Sequence, residues 1–462
     1  MHLNKQFITD VLINPNFLGK DVPVETSFSV DSRTTKPGDI FVALSGTTHD
    51  AHDFLEEVIE KGAEGFILAK KHQARVEKQF GKILQNKFVM FVEDPLQALI
   101  ALARAWRSKF SIPIIGVTGS VGKTSTKETI ATVLRMTGEK YLASYGNQNT
   151  LLGISMNILK LRPEHKAAVF ELGIRKRGAM KELAQLLRPT IGIVTHIGHA
   201  HMEGLGSLHD IAMEKRAIFS MFEPENIGII NGDLDILTKV SYPHPIVKIG
   251  MKTTNQFEAR KIVIKNNTIS FIAKVYDKKY PVILQGSHEA RIMHALGALA
   301  VAYYLNIPME LALEGVQKQT VVYGRFEERA VINNGIIIND AYNANPESMK
   351  AAMLAFHAYT TDREKIMVIG DMLDLGIDFA FWHRQIGRFL RKVPSIRHVI
   401  LVGSFVEWTL KTLPAGMKVQ HVPSVKELIP VLKPLVNKNT IVLLKASNGI
   451  GLHQVPDHFA LP

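Results

Sequence analysis

Short apolar runs, most of them closed by a glycine, an acid or an amide, alternate along the chain with longer stretches whose apolar residues recur at helical spacing. The clearest such stretch in the first part is "PLQALIALARAWRSKF". There Leu96, Leu99, Ile100, Ala103 and Trp106 share one helical face, and Pro95 stands at a helix start. The pattern predicts a helix that ends a first unit near residue 110. A second unit opens at Pro113 with the strand-like "IIGVTG", and "AAVFELG", "IGIVTHIG" and "IGIINGD" repeat the motif between helical stretches. Runs that are apolar on both sides read as parallel strands covered by helices on both faces. "GSHEARIMHALGALAVAYYL" reads as the helix that closes this unit. A third unit begins near Val322 and continues the alternation with "GIIINDAYN", "KIMVIGDM", "HVILVG" and "IVLLKAS". The prediction is an α/β protein of three domains, residues 1–110, 111–320 and 321–462, the last a smaller Rossmann-like domain without a phosphate loop of its own.

Composition narrows the function. With 462 residues the chain suits about three domains at roughly 150 residues each. No apolar run approaches the roughly 18 residues of a membrane span, and Met1 to Asp10 lacks a signal-peptide pattern, so a soluble cytoplasmic protein is expected. The absence of cysteine excludes disulfides, thiolate zinc sites and cysteine nucleophiles, leaving oxygen and nitrogen as metal ligands. A net charge of +12 asks for an anionic partner. Lysine and arginine are scattered, with no basic block or aromatic-interleaved stripe, so nucleic acid is not the expected one. A monomer is the expectation.

The anion has an obvious place to sit. In "IIGVTGSVGKTSTKE" a β-branched run leads through a glycine-rich turn into a helix, where backbone N–H groups and the positive end of the helix dipole suit a phosphate. Thr118, Gly119, Ser120, Val121, Gly122 and Ser125 form the turn and its exit. Lys123 supplies a charge for the terminal phosphates and Thr124 a hydroxyl for Mg2+. The strict spacing of that motif fails, since it needs glycine where Val117 stands and Gly116 comes one step early. ATP or GTP is the ligand this predicts.

Further candidates lie at strand ends. Glu171 closes "AAVFELG", where a carboxylate in an open parallel sheet lies beside ligands and can hold Mg2+; taken alone it is equally a solvated strand end. "THIGHAHMEGLGSLHDIAMEK" holds His196, His199, His201, His209 and Lys215. Its H-x-H pair suggests zinc but lacks a third close ligand. Asp340, Tyr342, Asn343 and Asn345 gather before Pro346, and capping accounts for only one of the four. Arg325 in "YGRFEER" offers a guanidinium for a phosphate. Near the N-terminus "FSVDSRTTKPGDIFVALSGTTHDAHDF" joins polar turns to a buried strand and suggests a second anionic ligand.

In this order the segments resemble the Mur ligases across nearly the whole chain. The likeness is carried by Asp31-Ser32-Arg33 with "PGDIFVAL" and "DAHDF", "GVTGSVGKTSTKE", "YGNQNTLLG", "FELG", "IGHAHMEGLGSLHDIAMEK", "YGRFE", "DAYNANPESMKAA", "IGDMLDLG" and "LLKAS". "DAYNANPESM" followed by "GDMLDLG" points within the family to the branch that adds D-alanyl-D-alanine to UDP-N-acetylmuramoyl-tripeptide. The resemblance implies an N-terminal domain for the UDP-sugar, a central ATP-binding domain and a C-terminal domain for the incoming amine. It places Ser32, Arg33, Asp50, His52, Asn147 and Asn149 at the UDP-linked substrate. Lys123 and Thr124 fall on the phosphates and a first Mg2+. Glu171, His201 and Lys215 fall at a second Mg2+, with Lys215 carbamylated. His294, Arg325, Asp340, Tyr342 and Asn343 fall at the nucleotide. Four positions depart from the family pattern: Thr150 and His294 where asparagine is usual, Asn339 where aspartate is, and Asn448 where arginine is. The rival readings are another amide ligase of the superfamily, acting on the stem peptide or on folate, and a ligase-derived protein that keeps nucleotide without chemistry.

Overall fold

The computed structural model describes residues 3–23, 27–46, 49–319 and 321–461, so Thr320, at the expected second boundary, lies outside the described residues. Packing divides the chain into two compact units. Residues 1–114, 140–172 and 182–188 form one, and 115–139, 173–181 and 189–462 form the other.

In the first unit strands Asn16–Gly19, Phe88–Val92, Gly65–Ala69, Ile40–Val42 and Phe28–Ser29 lie side by side in that order, the first pair antiparallel and the rest parallel. Phe41, Phe66, Val89 and Phe91 pack on Leu55, Val58, Val76 and Leu84 of the helices Leu55–Glu60 and Gln73–Leu84. The predicted helix runs Pro95–Arg107, with Asp94 capping Leu96 and Gln97 N–H and Pro95 at its first position. Leu99, Ile100, Ala103 and Trp106 are buried as the spacing requires.

The last turn of that helix explains why residues from the middle of the chain belong here. Trp106 Nε1 donates to Leu161 O at 3.1 Å, and helix Pro95–Arg107 packs on helix Leu151–Ile158. Arg107, only 7% exposed, donates to the carbonyls of Leu187, Phe110 and Arg188 at 2.7, 2.7 and 2.9 Å. Burial, with Arg188 close by, lowers its pKa to about 10. A buried guanidinium is tolerable when its donors are satisfied, and here carbonyls satisfy them. The same unit holds the parallel strands Tyr141–Ala143 and Ala167–Glu171.

The second unit has two sheets. In the first, strands Lys278–Gln285, Thr268–Val275, Phe257–Lys265, Ile246–Gly250, Ile227–Asn231, Ile191–Val194 and Ile114–Thr118 follow one another. From Phe257–Lys265 onward neighbouring strands are parallel, and the first three form an antiparallel meander. The helix expected to close this unit, Ala290–Tyr304, is followed by another, Met309–Gln317, and both pack on the phosphate-loop helix Lys123–Met136. The second sheet orders Glu327–Val331, Gly335–Asn339, Thr440–Lys445, Glu364–Gly370, Ile396–Val402 and Lys418–Val422. Only its first pair is antiparallel. Among the described residues no helix is long and apolar enough to cross a membrane.

Replacing Arg107 by methionine keeps most of the volume but strands three carbonyls. We expect a loss of about 3 kcal/mol in the denaturant-unfolding free energy, the scale of leaving buried polar groups unpaired. Arg107→Lys should recover only part of it, because an ammonium lacks the planar fork. An unchanged midpoint in Arg107→Met would mean that the carbonyls find other donors.

Candidate active site

The phosphate loop leaves strand Ile114–Thr118 and enters helix Lys123–Met136 through Gly119 and Gly122, at φ +152° and +85°. The backbone favours glycine at both positions, and at Gly119 close approach demands it as well. A Cβ on Gly119 would lie 2.0 Å from Thr195 Oγ1, and one on Gly122 would lie 3.3 Å from His294 Nε2. The segment after strand Ile191–Val194 holds the loop in place. Ser120 N–H donates to His196 O at 2.8 Å, Ser120 Oγ and the Gly198 backbone bond each other at 2.9 Å in both directions, and Thr195 Oγ1 donates to Val121 O at 2.6 Å. Lys123 Nζ donates to Gly119 O at 2.9 Å. Thr124 follows Lys123 in the first turn of the helix, at its positive end.

Behind the loop lies a cluster with an excess of positive charge. Lys215, in helix Leu208–Arg216, is 1% exposed. Burial, together with the Lys123 ammonium, lowers its pKa well below that of a free lysine. Glu214 acts the other way, but its carboxylate accepts the N–H groups of Gly178 and Met180, both at 2.9 Å. His201 sits in the left-handed region, φ +58°, at the cap of the short helix Met202–Leu205. Its pKa falls to about 4 because it is buried and faces Lys123 and Lys215. Its Nδ1 is buried without a hydrogen-bond partner, 3.5 Å from Asp374 Oδ2.

A cavity of about 320 Å³ opens in front of the loop, lined on one side by Ser120 to Lys123 and His201 and on the other by His294, Arg325, Asp340 and Asn343. Burial, with His288, Arg291 and Arg325 nearby, lowers His294 to about 3, so a neutral imidazole faces Gly122. Arg325 stacks over Tyr342 at 4.3 Å. The four polar residues before Pro346 have separate tasks. Asn345 caps helix Pro346–Ala358 in a capping box with Ser348, and Asp340 pairs with Lys445 at 3.0 Å while accepting Phe326 N–H. Tyr342 carries Arg325, and Asn343 bonds Ala344 N–H through its side chain and Lys445 Nζ through its carbonyl. Lys445 thus organises this wall, and the sequence reading did not assign it a place. Its signal is a lysine ending the apolar run Ile441–Leu444 of the buried strand Thr440–Lys445.

The expected substrate residues lie in the first unit. Asp31 caps the turn Ser32–Thr34 and pairs with Arg33, whose side chain is 84% exposed. Asp50 caps the turn Ala51–Phe54 and accepts His52 Nδ1 at 2.6 Å. Burial opposes ionisation of Asp50, but bonds from the His52 backbone and ring and from Ser45 outweigh it and hold the carboxyl well below the usual range. His52 Nε2 accepts Ala69 N–H at 2.9 Å. Asp50, His52 and His72 stand close enough to suggest a metal site. Both His52 nitrogens are engaged, however, so the ring offers no free lone pair. Asn149 Nδ2 donates to Glu171 Oε1 at 2.7 Å, and the exposed Asn147 accepts Asn149 N–H through its carbonyl.

Three of the four departures from the family pattern have structural work. Thr150 caps helix Leu151–Ile158, Asn339 bonds His453 O and Ala341 N–H, and Asn448 donates to Tyr342 O at 3.1 Å. The fourth, His294, is the neutral ring beside Gly122.

Comparison with known proteins places these features together. Residues 117–302 match the Mur ligase middle domain and residues 324–448 the Mur ligase, glutamate ligase domain. The chain is 29% identical over 455 residues to the UDP-N-acetylmuramoyl-tripeptide–D-alanyl-D-alanine ligase of Bacillus subtilis, covering 97% of this chain and 96% of that one. It is 31% identical to the ligase of the same name from Treponema pallidum, covering 92% of each. A crystal structure of MurF from Acinetobacter baumannii superposes with a TM-score of 0.79 at 25% identity, over 95% of this chain and 93% of the other. MurF from Thermotoga maritima, crystallised in complex with ADP, has the same fold, with a TM-score of 0.78 at 24% identity over 94% and 97% of the two chains. With its three-domain α/β fold, its glycine-rich phosphate loop and a likeness that runs nearly end to end, the chain belongs to the Mur ligase family.

Proposed function

We propose that this protein is an ATP-dependent ligase that joins D-alanyl-D-alanine to UDP-N-acetylmuramoyl-tripeptide, giving the pentapeptide precursor of peptidoglycan. The observation that carries the reading is the full-length likeness to ligases of that name, 31% identical over 92% of the chain in one case. The site supports it chemically. A carboxylate is a poor acyl donor, so ATP transfers its γ-phosphoryl group to the tripeptide's terminal carboxylate. The neutral amine of D-alanyl-D-alanine then attacks the carbonyl carbon, and the tetrahedral adduct collapses to amide and phosphate. No protein nucleophile is required. Lys123 offsets charge on the transferring group, and the loop N–H groups orient it.

Mg2+ in two positions, when bound, would offset the phosphate charge. The residues proposed to hold it are Thr124 for one ion and Glu171, His201 and Lys215 for the other. The buried, unpartnered Nδ1 of His201 fits such a role. Lys215 fits it only as a carbamate, because an ammonium would repel the cation. Its lowered pKa makes the neutral amine, the form that takes up carbon dioxide, accessible. In the first unit Ser32, Arg33, Asp50, His52, Asn147 and Asn149 would serve the UDP-linked substrate, with His52 acting through the loop it anchors. We propose a cytoplasmic monomer. Phosphate release from ATP should require both peptide substrates together, and no release with the pair would refute the reading.

Lys123→Ala should lower kcat about 100- to 1,000-fold, about 3 kcal/mol of transition-state stabilisation, with the melting temperature nearly unchanged. Near-normal turnover would remove Lys123 from the chemistry. Arg33→Ala should raise KM for the UDP-linked substrate at least tenfold while leaving KM for ATP within about twofold, and equal losses would make the turn merely structural. Lys215→Ala should lose most activity and regain part of it in acetate or formate, which can occupy the carbamate's place. Lys215→Arg should fail in either condition, and full activity of Lys215→Ala without added carboxylate would contradict the carbamate.

A further inference from the structure

The H-x-H segment that invites a zinc reading makes one hydrogen-bonded histidine–carboxylate pair with a residue of the C-terminal stretch, and its second histidine faces an aspartate there without a hydrogen bond. His199 Nδ1 lies 2.5 Å from Glu347 Oε1, and His199 N–H donates to Glu347 Oε2 at 3.1 Å. The His199 ring also packs on Trp382, with centroids 4.1 Å apart. His201 faces Asp374 at 3.5 Å. The Gly198 backbone lies close against the Glu347 side chain, since a Cβ on Gly198 would lie 2.7 Å from Glu347 Cδ. The same few residues carry the phosphate loop: His196 O accepts Ser120 N–H, and the Gly198 backbone pairs with Ser120 Oγ. Glu347 is itself fixed in the first turn of helix Pro346–Ala358, behind a capping box.

We propose that Glu347 is a positioning residue. By gripping His199 it holds residues 196–198 in the arrangement that sets Ser120 and the phosphate loop for transfer. Glu347 lies along the same cavity as the loop, and a carboxylate engaged by both the backbone and the ring of one histidine leaves that residue little freedom. Gly198 makes the linkage stiff, because the loop cannot shift at Ser120 without moving Gly198, nor Gly198 without meeting Glu347. Residues of the C-terminal stretch thereby act on a loop far from them in sequence.

The kinetic part of this proposal rests on the ligase reading, but its first test does not. In the nucleotide-free full chain, Glu347→Gln should raise the hydrogen-exchange rates of the Ser120 and Gly198 amides at least tenfold, while strand Ile227–Asn231 keeps its rates. In the assay the same variant should lower kcat at least tenfold, with KM for ATP and the affinity for a non-hydrolysable ATP analogue within threefold of the parent. Glu347→Asp should recover part of kcat. Unchanged exchange at Ser120 would overturn the proposal, whatever the assay gives. So would a loss confined to KM, or an unchanged kcat. If the parent enzyme released no phosphate, the ligase reading would fall while the exchange result still judged the linkage. Should Glu347→Gln melt early, His199→Gln removes the same pair from the other side and takes the same readings.

Discussion

A lysine amine buried beside another lysine is the constraint around which the second unit is built. Lys215 is almost wholly out of water, and its strongest charged neighbour is the Lys123 ammonium. Desolvation and like charge both disfavour a protonated Lys215, so the fold pushes this side chain toward its neutral form. The adjoining parts follow the same logic. Glu214 opposes this only in part while its carboxylate accepts two backbone N–H groups, and His201 is kept neutral by burial and by the same cations. A lysine held toward its neutral form by burial and a neighbouring cation costs stability, and the carbamate proposed above would relieve that cost.

The remaining parts bring groups to that centre with little freedom. Gly119 and Gly122 let the loop pass against Thr195 and His294, and Ser120 ties it to the segment carrying His199 and His201. On the facing wall Lys445 is also buried, but it is neutralised by Asp340 and bonded by two carbonyls. Two buried lysines in one unit therefore have opposite chemistry. Lys445 is a satisfied structural cation, whereas burial and the Lys123 charge both act against protonation of Lys215.

Much of this was legible in the sequence where the signal was local. The four apolar runs read in the C-terminal stretch are the four interior strands of its sheet, because interior strands are buried on both faces. The edge strands Glu327–Val331 and Lys418–Val422 escaped, being half exposed and mixed in polarity. The meander at Phe257–Gln285 was missed because "TISFIAKV" alternates in burial but not in polarity, with Phe271, Ile272 and Ala273 apolar in a row. The phosphate loop was found from order and chemistry despite Val117 breaking the strict spacing. What stayed hidden was non-local: Lys445 answering Asp340 more than a hundred residues away, Glu347 on His199, and Arg107 drawing residues 182–188 toward the N-terminal sheet. Lys215, on a helix whose neighbours include charged residues, would read as solvated from its sequence, and its burial is again non-local.

The central claim is that Lys215 is carried as an anion. Equilibrating the protein with ¹³C-labelled bicarbonate and recording its carbon NMR spectrum tests this without reference to catalysis. The account predicts a carbamate resonance distinct from free bicarbonate, absent in Lys215→Arg and kept in Lys123→Ala, whose Lys215 remains buried. A wild-type spectrum without that resonance, or one identical in Lys215→Arg, would contradict it.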